Sequence, residues 1–291
     1  MDKYQAMRLP FKLCIALLIT VLLGACSAVR LAYNQADTLL SWMASDYFDF
    51  DPTQKQDFNA RLGTLLKWHR QEPLPEYAQF LVEVQRRAEK PSSIDDARWL
   101  AEGAKARYRM MTRKMASEAA EVLTTLNADN LRALEKAFDK DSDKFTREYK
   151  LNGKPDERRR ARLDRNLKRI RDWSGPLTRE QEARITALSD ALPDGDHLRL
   201  QDRKRRQKEF LVLLGNRQSQ NKAELTRSLD RFLADWETGR PPELAQGLTE
   251  AFDKRVAMYL EADRMLNAEQ RAHVAKALQG YIDDVRALIG R

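Results

Sequence analysis

The sequence predicts an all-α protein, a multi-helix bundle, and three observations carry that expectation. Glycine and proline are scarce, at 11 and 10 of 291 residues, while a third of the chain is charged; such a mix favours helices. Alternating β-branched runs, the mark of strands, are absent. Helix starts with capping side chains recur along the chain, separated by turn signals.

At the start, Lys3, Arg8 and Lys12 surround or precede the opening of an eleven-residue apolar run, Leu13 to Leu23, interrupted by Thr20. A basic start, a short apolar stretch and small residues describe a secretory signal peptide. Crossing a bilayer takes about 20 apolar residues, so this run is too short to be a permanent span. Met7-Arg8-Leu9-Pro10 opens a tighter signal than Met1, and both starts stay open. The run ends in Leu23-Gly24-Ala25-Cys26, which resembles the lipobox of bacterial lipoproteins. The resemblance implies cleavage between Ala25 and Cys26, a diacylglycerol on the Cys26 sulfur and an acyl chain on the new amino terminus; no other cofactor is expected. Two or more acyl chains anchor a protein stably, where one is marginal. Ser27 is similar to the residue that follows the cysteine in lipoproteins sent to the outer membrane, so the periplasmic face of that membrane is the expected location.

On this reading residues 1–25 are the signal and 26–291 the mature body. Losing residues 1–25 removes Lys3, Arg8, Lys12 and Asp2, a net +2, and leaves +6 of the original +8. Cys14 leaves with the signal and Cys26 carries lipid. The mature body then has no thiol for a disulfide, thiol catalysis or a cysteine metal site, and its stability must come from packing.

Helix starts follow in order. Asp51-Pro52-Thr53-Gln54 offers an Asp cap, proline at the first helical position and an amide at the third. Ser93 precedes Ile94-Asp95-Asp96, whose acids suit the positive end of a helix. Pro155 precedes Asp156-Glu157, and Pro241-Pro242-Glu243 opens a later helix. Breaks are expected at Pro73 to Pro75, Lys90-Pro91, Asn152 to Pro155, Ser174 to Pro176, Pro193 to Gly195 and Thr238 to Pro241. A boundary near Gly153 would divide the body into lobes 26–152 and 153–291.

One design recurs. Leu126-Asn127-Ala128-Asp129-Asn130, Leu177-Thr178-Arg179-Glu180-Gln181 and Leu266-Asn267-Ala268-Glu269-Gln270 each set a leucine before a capping side chain, with an acid at the second helical position and an amide at the third. Each reads as a capping box, with Leu131 placed to staple back toward Leu126. The segments resemble the LTxxQ motif of the Spy/CpxP-like periplasmic proteins, small helical chaperones and stress-response modulators, although Asn replaces Thr at 127 and 267, and Asn130 replaces Gln. The chain as a whole, through its lipobox, Tyr33-Asn34, Asp46-Tyr47-Phe48-Asp49 and Asp51-Pro52-Thr53-Gln54, is similar to an uncharacterised family of Gram-negative lipoproteins. That resemblance implies export and lipidation and carries no activity.

The helix expected from Asp156 to Trp173 is amphipathic in an unusual way. Leu163, Leu167 and Ile170 form an apolar stripe, and Arg158, Arg162, Arg165 and Arg169 run along the opposite side. Four arginines on a solvent-facing ridge suit carboxylates or phosphates. Further on, Arg199, Arg203 and Arg206 share a stripe with Phe210 and Leu214, so the apolar end is expected in the core and the basic end projecting beyond it. The candidate binding residues for an anionic partner are Arg158, Arg162, Arg165, Arg169, Arg203 and Arg206. A basic protein suggests nucleic acid, but export makes the partners anionic lipid, lipopolysaccharide, peptidoglycan or an unfolded-protein client, with contact to the membrane through the lipid anchor and no nucleic acid.

Catalytic signatures are missing. His69, His197 and His273 sit in separate segments and read as surface or capping residues, with no metal-ligand spacing. Asp95-Asp96 and Asp283-Asp284 are adjacent pairs whose side chains point apart on a helix. Tyr33, Trp42, Tyr47, Phe48 and Phe50 are expected to form the core around which the first helices pack, or else to line the membrane surface. The expected function is non-enzymatic binding of anionic or partly unfolded partners, as in a Spy/CpxP-like chaperone. A structural or assembly lipoprotein docking a protein or cell-wall partner, or a hydrolase built on distant carboxylates, are the alternatives.

Overall fold

A computed structural model describes residues 28–289; Ala25 and Cys26, the expected cleavage and lipidation residues, lie outside the described residues. The fold is all-α. Twelve helices and no strand occur among the described residues: α1 (Ala28–Asn34), α2 (Ala36–Phe48), α3 (Pro52–Gln71), α4 (Pro73–Arg87), α5 (Ile94–Thr124), α6 (Ala128–Glu148), α7 (Pro155–Ser174), α8 (Arg179–Asp190), α9 (Gly195–Gly215), α10 (Lys222–Ala234), α11 (Pro242–Arg264) and α12 (Ala268–Leu288). No helix among them is long and apolar enough to cross a membrane.

The helices begin where capping chemistry allows. The Asp51 carboxylate accepts from the backbone N–H groups of Thr53 (2.8 Å) and Gln54 (2.9 Å), and Pro52 occupies the first helical position. Ser93, Asn127, Thr178 and Asn267 cap α5, α6, α8 and α12 in the same way, each with a side chain at the third helical position reaching back to the cap N–H. Asn221, which the repeated pattern did not single out, caps α10. Such caps satisfy amide groups that the helix itself leaves unpaired.

The amides at the third position do more than cap, because they interlock in pairs. Gln181 and Gln270 donate to each other's side-chain oxygens, both at 2.8 Å. Their remaining donors reach the carbonyls of Met265 and Pro176, both at 2.7 Å. The starts of α8 and α12 are thereby tied through fully satisfied buried amides. Gln54 and Asn130 repeat the arrangement between α3 and α6, with Gln54 donating to Asn130 Oδ1 (2.9 Å) and to the Thr125 carbonyl (2.8 Å). Asn130 returns bonds to the Phe48 and Asp49 carbonyls. Buried amides with every donor and acceptor matched specify one relative placement of the elements they join.

Two cores result. The larger gathers Ala116, Ala120 and Leu123 of α5, Leu134 of α6, Leu214 of α9 and Leu225 and Leu229 of α10. Tyr47, Phe48 and Phe50 pack against it, whereas Trp42 points outward at 66% exposure. The expectation that all five early aromatics build the core is thus corrected for Trp42, and Tyr33 instead stacks on His69. The smaller core holds Ile170 of α7, Ile185 of α8 and Ala262 of α11, with Leu167 beside them. A division at Gly153 does not partition this packing, because α10 lies along α5 and α12 along α4. Elements from both sides of the expected boundary cover each other's apolar faces.

The helix α9 runs from α11 into the larger core. Its C-terminal end is buried at Leu214. Its N-terminal end meets α11 so closely that a Cβ on Gly195 would lie 2.8 Å from the Ala251 Cβ. Only a residue without a side chain permits that approach, and it fixes where the basic half of α9 sits.

Candidate functional site

Around the start of α9 the chain concentrates arginine. Asp196, buried to 6% exposure, accepts from Arg165 of α7 (2.6 Å) and Arg199 of α9 (3.1 Å). The same two guanidiniums lie over the Tyr149 ring, 4.2 and 4.9 Å from its centroid. Tyr149 stacks at 4.1 Å on Phe145, one turn earlier near the end of α6. Arg199 and Arg203 also approach the Phe145 ring, at 5.3 and 5.9 Å. Successive arginines one turn apart on α9 thus meet successive aromatics one turn apart on α6, an arrangement set by the i, i+4 spacing of both helices. Arg203 is held by Asp141 (3.1 Å), which also accepts from the Tyr47 hydroxyl. Burial and that bond push the Tyr47 phenol up to about 12.

Two further arginines complete the cluster. Arg169 of α7 is exposed, with Nη1 3.5 Å from the Tyr259 hydroxyl, and that contact raises its pKa. Arg255 of α11 is half-buried and has no hydrogen-bond or ion-pair partner among the described residues. Burial pushes Arg255 down from the usual guanidinium range; Arg199 and Arg169 add to that, and Asp196 opposes it. Arg165 is pushed down by burial too, and one of its terminal nitrogens, Nη1, is buried without a partner. Two guanidiniums thus bind one buried carboxylate, and Arg169 and Arg255 lie near enough to feel its charge. Arginine cannot relieve such crowding by losing a proton, so the cluster carries a standing positive charge with an unmet demand for acceptors.

The six residues singled out in the sequence do not form one solvent-facing ridge. Arg162 is buried, reaching toward the Pro193 carbonyl at 3.5 Å. Arg158 is bound to Asp194 (2.8 Å) and to the Gly153 carbonyl (2.8 Å). Of the four on α7 only Arg169 is exposed. The reason is that α7 has a second neighbour opposite its apolar stripe, the turn joining α8 to α9, whose acids and carbonyls cover the arginine side. Nor does the basic half of α9 project free. Arg206 donates to the Phe232 carbonyl (2.7 Å) and lies 3.8 Å over the Phe232 ring, strapping α9 to α10. Lys204 and Lys208 remain exposed.

Arg165, Arg169 and Arg203 are thus brought together, Arg158, Arg162 and Arg206 serve other contacts, and Arg199 and Arg255 join the cluster. Arg199 was legible as part of a basic run, and the i, i+4 pair Phe145 and Tyr149 was a readable partner for it. Arg255 carries no local signal.

Of the histidines, His69 is neither a surface nor a capping residue. Its Nδ1 lies 2.6 Å from the Tyr33 hydroxyl, its ring packs among Tyr33, Trp68 and Tyr77, and burial lowers its pKa from 6.5. The adjacent acids do point apart: Asp284 is buried against Arg30 (2.8 Å), whereas Asp283 accepts from Gln279. Among the described residues no three or more His, Cys, Asp or Glu side chains converge as metal ligands.

No curated protein and no solved structure matches the chain. A family match begins within α2, takes in the Phe145–Tyr149 pair and Arg165, Arg169, Arg199 and Arg203, and ends before Arg255. Residues 46–239 match the Family of unknown function (DUF6279), and over this majority of its length the chain belongs to that family.

Proposed function

We propose that this protein is a lipid-anchored lipoprotein of the bacterial envelope, without chemistry of its own, whose helical body binds an anionic partner at Arg165, Arg169, Arg199 and Arg255. The observation that carries the reading is the cluster itself, Arg165 and Arg199 sharing the single buried carboxylate of Asp196 with Arg169 and Arg255 close by, and Arg255 unpartnered among the described residues. A carboxylate or phosphate would supply the missing acceptors, and charge-assisted bonds to arginine are the strong ones. The lipobox ending at Cys26 and the following Ser27 support anchoring at the periplasmic face of the outer membrane. The outward face of α2, with Leu39, Trp42 and Met43 exposed, lies shortly after that anchor and suits the membrane interface.

A chaperone role through the LTxxQ-like segments has less support than the arginine cluster. Gln181 and Gln270 spend their donors and acceptors on each other and on backbone. They present nothing to a client.

Two measurements test the reading. Mass spectrometry of the protein from cells should find a mature N-terminus at acylated Cys26, and Cys26→Ser should leave the precursor uncleaved; any other mature terminus removes the anchor. Phenylglyoxal modification of the full protein, mapped by peptide, should mark Arg255 and slow when inorganic phosphate is added. Added chloride should weaken the protection more than it alters modification of an exposed, isolated arginine. Equal modification of Arg255 with and without phosphate would remove the anionic site.

A further inference from the structure

Beside the arginine cluster, α5 and α11 stand apart and leave a groove. One part, a cavity of about 630 Å³, is lined by Tyr108, Trp236 and Phe252 together with Lys105, Arg199 and Arg255. The other, of about 530 Å³, is walled by Val84, Leu100, Val256, Leu260 and Leu278, with Trp173 at its edge. Ala101, Ala104 and Phe252 line both, so the two are continuous. Each lies within the usual range for small-molecule sites, roughly 300–1,000 Å³. Large apolar side chains left exposed along it include Leu100, Tyr108, Trp173 and Phe252, at 42 to 55% exposure. A soluble face does not ordinarily carry such a strip.

Polarity divides the groove sharply. In the apolar part the charged groups are already paired: Arg87 binds Asp96 (2.7 Å), and Asp263 accepts from the Ser92 amide (2.6 Å) and from Arg271. The rest of that wall is chiefly aliphatic and aromatic, and a hydrocarbon chain needs no polar partner. In the cationic part Lys105 and Arg240 share Glu237, Arg240 also binds Asp202, and Glu102 is solvent-exposed. Arg199 divides its charge with Arg165 over Asp196, and Arg255 is unpartnered among the described residues. The groove is thus hydrocarbon-like along one length and anion-seeking at the other end.

The geometry points to a single-chain anionic amphiphile as its ligand: an acyl chain lying between α5 and α11, with its carboxylate or phosphate headgroup at Arg199 and Arg255. This rests on the anionic reading above and adds the ligand's apolar half. Length and charge should contribute separately. Each methylene that enters the apolar part should tighten binding by up to about fourfold. The headgroup should be worth about tenfold over a neutral one, the range of a hydrogen-bonded charge.

The test is photolabelling of the full acylated protein in neutral detergent, using a diazirine-bearing palmitate and the matching hexadecanol, with labelled peptides mapped. Palmitate should mark the groove faces of α5 and α11 about tenfold more than the alcohol. Arg255→Gln should erase that preference. Ala104→Trp, at an exposed position that folding tolerates, should fill the groove and suppress both labels without lowering the melting temperature. Equal labelling by the two probes in the unaltered protein would overturn the headgroup assignment. Labelling scattered over the surface, or indifferent to Ala104→Trp, would overturn the groove. Should Ala104→Trp instead block binding of an unfolded polypeptide while palmitate labelling persists, the groove belongs to polypeptide and the amphiphile is excluded. If phosphate protects Arg255 from phenylglyoxal but palmitate does not label the groove, the amphiphile fails and the anionic site stands; failure of both removes both.

Discussion

Single side chains carry more of this fold than their sizes suggest, and the capping residues separate two kinds of contribution. Thr178 accepts from the Gln181 N–H at 3.2 Å, a local bond at the start of one helix. Thr178→Ala should cost about 1 kcal/mol, as cap losses do. Gln181 adds contacts to a second helix, and Gln181→Ala strands the Met265 carbonyl and the Gln270 amide in a buried place. That change should cost about 2–3 kcal/mol, because unpaired buried polar groups bear their full desolvation penalty. Urea melts of the two variants decide the order; an equal loss would mean that water replaces the missing amide. His69 gives the second prediction at this scale. Burial lowers its folded-state pKa below 6.5, so the unfolded chain binds a proton more readily. The stability it permits is complete above the unfolded pKa and is lost as pH falls through the lowered folded value. Replacing His69 with Phe should therefore shrink the drop in melting temperature between pH 7.5 and pH 5.

At the scale of the element, α7 shows what a sequence can and cannot disclose. Its start at Pro155 and its apolar stripe of Leu163, Leu167 and Ile170 follow from proline chemistry and 3.6-residue periodicity, which are local. The fate of its arginines is not local. Asp194 and Asp196 lie 36 and 31 positions after the arginines they bind, and only the turn between α8 and α9 carries them back to α7. A charged stripe reads as solvated until the second neighbour is known. The same holds for the interlocked amides: the capping boxes were legible, but their pairing across 76 and 89 positions was not. The two arginine environments predict different costs. Arg165→Gln leaves buried Asp196 with Arg199 alone and should destabilise by about 1–3 kcal/mol. Arg169→Gln, at an exposed position, should stay within about 0.5 kcal/mol. Denaturant melts showing the reverse order would contradict the burial of the Arg165–Asp196 pair.

For the whole molecule the question is whether the chain divides. The turn at Asn152–Gly153 has the composition of a boundary, and Lys150 beside it adopts a positive φ of 55°. Composition reports where the backbone turns, however, not what the flanking helices bury. Here α10 covers α5, α12 covers α4, and α9 carries the chain from the arginine cluster into the larger core. A polypeptide ending at residue 152 would expose the faces of α5 that Leu225 and Leu229 cover, both at 1% exposure or less. Burying each such leucine is worth about 1.5–3 kcal/mol, a large part of the total stability of an ordinary domain. The fragment 28–152 should therefore lack a cooperative melt and bind hydrophobic dye, and the fragment 153–289 should behave likewise. Mixing the two should restore helicity and a single transition, because the missing faces are complementary. Leu229→Ala in the larger core and Ile185→Ala in the smaller should each lower the one transition of the intact protein, by about 2–5 kcal/mol. Two separate transitions, each sensitive to only one of these changes, would show that the cores unfold independently and that α9 does not couple them.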